Sequence, residues 1–306
     1  MGHDAVDLGR PTAATPTPST AVLDEAFDRV SALDFEIPNP YVNHGPMAVE
    51  ALSTLGFDWT IDDWVERFET TMHRALEPVT PEWRRDFPWR DLLGDHQLLP
   101  EWMGYFERAI GDDGWRDVVH TWVPRLMPGL VAALFHGVIR TSHAVRALDV
   151  ADTTARRAEL ARALGNWAVW FGPGRPAEGN AVTDDPGTGS AQAAARAAGC
   201  YVSQPTIFVL HAVTGAMAVN LLSGHLEPSD AASALAQLEA EHRALLTHDT
   251  PAHVDADGEW DPHVIDRAVG SFDPHQVKLV EACLRGLDLT GDPHFAAAAR
   301  VVTGTP

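Results

Sequence analysis

The stretch 205-PTIFVLHAVTGAMAVNLL-222 decides the fold class. Its apolar residues cover nearly every side of a 3.6-residue helix, the pattern of a core helix surrounded by protein. A histidine, two threonines, a glycine and an asparagine interrupt it, so it lacks the clean apolar length of a membrane span. A helix of this kind needs other helices to wrap it, and helical signals dominate on both sides.

Working outward, a first helix fits 21–33, and an extended stretch rich in proline and asparagine follows it. Pro46 suits the first turn of a helix over 46–56 that closes near Gly56. Thr60 and Asp63 resemble a capping box for 61–76, and Thr80-Pro81 starts a short helix. Helices then fit 99–111, 114–122 and 124–149, the last with a kink near Pro128, and Asp152 or Thr153 caps 154–171. Further helices fit 190–199, 205–223, 228–247, 262–269, the segment capped by Ser271 or Asp273, and 292–302. Two segments rich in Gly, Pro and Asp, 172–190 and 248–262, read as long irregular loops, the first a candidate lid. Residues 1–20 have the composition of a disordered tail. The expected architecture is all-α: one large helical domain over 21–306 with two long irregular loops.

At 306 residues, with 45% hydrophobic residues and ten tryptophans, the chain can bury a large core. Its formal charge of −21 repels phosphate backbones and anionic lipid, so neither nucleic acid nor a membrane surface is an expected partner. Cys200 and Cys283 make no metal-type spacing and read as reduced core residues. With no basic and apolar leader pattern at the N-terminus, a cytoplasmic location is expected.

Fifteen histidines are many for this length. His3, His73, His96, His225, His242, His248, His253, His263 and His294 lie in polar or acidic surroundings and read as solvated; His120 reads as half-buried. His44 instead precedes an apolar helix, and His211 is embedded in the core helix. His136, Arg140 and His143 share one face of 131-VAALFHGVIRTSHAVRAL-148, because seven residues return a helix to nearly the same azimuth. The small side chain of Gly215 leaves room beside His211.

His275 and Lys278 also share a helix face. Lys278 is the only lysine among 22 basic residues, in a chain that otherwise uses arginine. It could snorkel to water and pair with Glu281. Buried, it could instead lose its proton and act as a base, form a Schiff base, or take up carbon dioxide as a carbamate, none of which arginine does. Neutral imidazoles suit iron, zinc, copper or nickel, but no compact motif such as HExxH is present.

Four segments in order, 43-NHGPMAVEALSTLG-56, the F-H-G-x-I-R-T-x-H-A-x-R-A-L run at 135–148, 209-VLHAVT-214 and the H-x-x-K-L-V run at 275–280, together resemble the questin oxidase-like family. The resemblance implies a helical oxygenase of polyketide or anthraquinone chemistry, acting with dioxygen on an aromatic or quinonoid substrate by oxygen insertion or ring opening. It implies that His44, His136, His211, His275 and Lys278 bind one non-haem iron (Fe2+), with Lys278 as a carbamate or neutral amine. Arg140, where some members show a histidine, would steer a substrate oxygen anion, and His143 would serve as acid/base or orient a ligand. Trp59, Trp64, Trp102, Trp122, Trp167 and Trp170 are candidates to wall a flat pocket, although core packing explains each of them as well. Two alternatives stay open: a metal-free or NADPH-dependent Baeyer–Villiger-type oxidase using His/Lys acid–base chemistry, and a non-enzymatic helical binding protein. No GxGxxG fingerprint supports a built-in nucleotide domain.

Overall fold

The computed structural model describes residues 20–31, 33–36, 42–74, 77–81, 87–175, 185–247, 249–254 and 259–305. Residues 1–19 of the tail expected over 1–20, the middle of the 172–190 loop and residues 248 and 255–258 of the second loop lie outside the described residues, while Thr20 already begins the first helix.

The fold is all-α. Its helices are α1 (Thr20–Val30), α2 (Gly45–Thr54), α3 (Ile61–Thr71), α4 (Trp89–Leu92), α5 (Leu99–Asp113), α6 (Trp115–Leu126), α7 (His136–Val150), α8 (Thr154–Val169), α9 (Pro186–Ser203), α10 (Ile207–Ser223), α11 (Pro228–Leu245), α12 (His263–Ser271), α13 (Pro274–Thr290) and α14 (Pro293–Val302). One short antiparallel ladder, β1 (Leu33–Glu36) with β2 (Met72–Arg74), departs from the all-helical expectation. It ends α3 at Thr71 rather than 76, because Met72 turns to extended backbone to pair with β1.

The core helix read from the sequence is α10, buried from Val209 to Val219 and packed on α7, α9, α11 and α13. Helix α2 bridges α7 and α13 on the far side. Side-chain caps hold several helix starts: Thr153 accepts from Arg156 N–H, Thr206 from Val209 N–H, Asp273 from His275 N–H and Asp292 from His294 N–H. The capping box at Thr60 does not form, since its hydroxyl donates to the Phe57 carbonyl instead. The short helix expected to start at Thr80-Pro81 would run into 82–86, which lie outside the described residues.

The expected helix over 124–149 is the largest local correction. Helix α6 runs through Pro124 to Leu126, a 3-10 turn covers Met127–Gly129, and α7 starts only at His136. Between them Ala133, Leu134 and Phe135 all take left-handed backbone, with φ of 48°, 55° and 63°. Trp102 and Trp122 join Phe87, Tyr105 and Phe106 in an aromatic cluster between α5 and α6, so they fill core. Trp59 is 78% exposed and so fills no core.

Candidate metal centre

Four helices deliver one imidazole each to a single point. His44 precedes the first turn of α2, His136 is the first residue of α7, His211 lies in the first half of α10, and His275 sits in the first turn of α13. One ring nitrogen from each falls within 4.8 Å of all the others. His136 Nε2 is 2.9 Å from His44 Nε2 and 3.0 Å from His211 Nε2. His44, His136 and His211 are buried, while the His275 side chain keeps about 25% exposure and so marks the open side of the cluster.

The opposite ring nitrogens show which way the lone pairs point. His136 Nδ1 donates to the Ala133 carbonyl at 2.5 Å, and His211 Nδ1 donates to the Ile207 carbonyl at 2.7 Å. His275 Nδ1 lies 3.2 Å from the Asp273 carboxylate. A carbonyl accepts only from N–H, so Nδ1 carries the proton in His136 and His211, and a neutral ring then leaves Nε2 bare. Burial keeps these rings neutral: it pushes His44, His136 and His211 well below the usual histidine range, and the charge of Lys278 pushes the same way. His275 is also lowered, by burial first, with Asp273 opposing. Two bare nitrogens 3.0 Å apart repel unless a cation sits between them. The donor set therefore fits a metal ion, and the outer partners are of the kind that orient metal-bound histidines.

Lys278 is fully buried one turn along α13 from His275, and its charge acts on all four histidines. Glu281, the pairing partner considered for it, instead binds Arg146 and Arg285.

Arg140 and His143 take different surroundings from the histidine cluster. The Arg140 guanidinium makes a bidentate pair with Glu159 of α8, through Nε at 2.6 Å and Nη2 at 2.8 Å, while Ser31 donates to the same carboxylate. Its Nη1 has no protein partner among the described residues. His143 is buried with Nδ1 2.5 Å from Glu50 Oε2. Arg146 clamps that carboxylate from the other side at 2.7 and 2.5 Å and reaches across to Glu281. Two guanidinium donors and an imidazole hold Glu50 well below the usual carboxylate range despite its burial. His143 is itself lowered by burial. A neutral imidazole with Nδ1–H on a carboxylate presents Nε2 as a base, and no protein partner occupies that nitrogen among the described residues.

Sequence reading missed Glu50, Glu159, Arg146 and Asp273 as partners of the site. The available signal was a lone glutamate inside the apolar run 47-MAVEAL-52 and an arginine three residues after His143. It also placed His242 among the solvated histidines. The structure buries it in α11 against a cleft of about 320 Å³ that also touches Arg196 and Cys200, and burial lowers its pKa to about 4. The room beside His211 is not empty either, because the Phe135 ring fills the space over Gly215.

No helix among the described residues is long and apolar enough to cross a membrane. No curated protein matches the chain. The family model described as questin oxidase-like matches residues 42–156, from just before His44 through all of α7 with His136, Arg140 and His143, and over that span it bears out the family to which the sequence motifs pointed.

Proposed function

We propose that the protein is a non-haem metal-dependent oxygenase acting on an aromatic or quinonoid substrate of polyketide type, with oxygen insertion or carbon–carbon ring cleavage. The observation that supports it most is the convergence of four neutral imidazoles on one point, two of them with bare Nε2 atoms 3.0 Å apart. In this reading His44, His136, His211 and His275 hold the metal, with iron (Fe2+) as the assignment. Lys278 adds a fifth donor, as the neutral amine or as the carbamate formed when that amine adds to carbon dioxide and releases a proton. The metal when bound supplies the site at which dioxygen and the substrate are activated.

The chain's own groups do the rest. His143, with Nδ1–H fixed on Glu50, takes a phenolic or enolic proton at Nε2 and returns it later. Arg140, neutralised on one edge by Glu159, offers Nη1 to an oxygen anion of the substrate. Partly exposed His275 marks the side from which substrate enters. Metal analysis of tag-free protein should give about one iron per chain. Dioxygen uptake with a hydroxyanthraquinone should stop on chelation and return with Fe2+.

The metal-free reading draws on one feature, the Glu50–His143 pair, which is a complete acid–base unit without any metal. Turnover that survives exhaustive chelation and dialysis would select it over the oxygenase centre.

A further inference from the structure

The left-handed turn before His136 is unusual because none of its three residues is glycine. For an L-residue that conformation crowds Cβ against the backbone and is costly, so the surroundings must hold it. Phe135 N–H closes the turn on the Val131 carbonyl at 3.3 Å. The Ala133 carbonyl is thereby aimed at His136, accepting from its backbone N–H at 3.3 Å and from Nδ1 at 2.5 Å. A right-handed continuation of the chain into α7 would turn that carbonyl elsewhere.

Two glycines keep the turn in place. The Phe135 ring lies fully buried over Gly215 of α10, where a Cβ would sit 2.7 Å from a ring carbon. On the opposite side Gly137 rests on the indole of Trp167 of α8, with no room for a Cβ. Gly215 lies one turn after His211 on the same helix, so the contact that seats Phe135 also sets the spacing between two of the imidazoles. Neither glycine has positive φ; each is needed for close approach.

We propose that Phe135, seated on Gly215, is a positioning residue of the metal centre: it holds a strained left-handed turn whose Ala133 carbonyl fixes the tautomer and direction of His136. This rests on the metal-centre reading above.

The test is a Co2+ titration of the full chain, read by visible absorption bands of the bound ion and, separately, by the thermal midpoint. Gly215→Ala should displace the Phe135 ring and weaken Co2+ binding by about tenfold or more, the effect typical of losing an outer partner. Phe135→Leu, the milder variant, should also weaken it, while the double variant, which returns the space of the ring to the new methyl, should bind better than Gly215→Ala alone. A wild-type chain that takes up no Co2+ overturns the metal-centre reading and this proposal with it. Wild-type binding that both folded single variants match, with unchanged spectra and only lowered midpoints, overturns the positioning role alone.

Discussion

Lys278 carries the sharpest consequence of any single residue. A cation buried beside four imidazoles would oppose a bound metal, so occupancy of the centre requires the amine to lose its charge. Lys278→Met replaces it with an apolar chain of similar length. Iron retained after desalting should fall, and unchanged retention would take the lysine out of the ligand set. His242 makes a separate prediction about acid. Its folded pKa of about 4 lies below the ordinary 6.5, so the unfolded chain takes up the proton first. The stability it contributes is full above pH 6.5 and is lost as pH falls toward 4, by roughly 3 kcal/mol at the bottom of that window. His242→Phe should therefore lose less stability than wild type between pH 7 and 4.5, measured by urea midpoints. Lys278 announced itself in the sequence by being alone. His242 did not, because the charged run 239-EAEHR-243 reads as a solvated face, while in the fold both Glu241 and the His242 ring turn inward.

At the scale of the element, α13 shows how one residue serves both helix and site. The Asp273 carboxylate accepts from His275 N–H at 2.9 Å, capping the helix, and lies 3.2 Å from His275 Nδ1. Asp273→Ala should cost about 1 kcal/mol through the lost cap and weaken metal binding tenfold or more through the lost orientation of His275. Asp273→Asn keeps an oxygen for both contacts and should retain most of each; equal loss in the two variants would show that charge, not geometry, matters. Caps of this kind were legible because a short oxygen-bearing side chain before an apolar period has few other local uses. The turn at Ala133–Phe135 was not legible. Alanine, leucine and phenylalanine continue the helical period of 131–148, and only Gly215 and Trp167, distant in sequence, make the left-handed form the one that packs.

Across the whole molecule, buried charge ties together helices that the chain visits far apart. Glu50 on α2, His143 and Arg146 on α7, and Glu281 and Arg285 on α13 form one network, and Arg285 continues to the Met217 carbonyl of α10. These are the same four helices that deliver the histidines, so the network holds their relative positions. Arg146→Leu would leave two buried carboxylates short of their main cation and should cost about 3–5 kcal/mol in urea unfolding. A loss under 1 kcal/mol would show that water replaces the guanidinium. The sequence by itself determined that the chain is helical, that α10 is its core, and which side chains are chemically able to bind a metal, because period and side-chain chemistry are local properties. Only the tertiary structure decided that His44, His136, His211 and His275 meet, that Arg140 and His143 are tied to glutamates, and that a left-handed turn aims the Ala133 carbonyl at His136. Those outcomes depend on how α2, α7, α10 and α13 pack, and packing is settled by shape and buried charge between residues far apart along the chain.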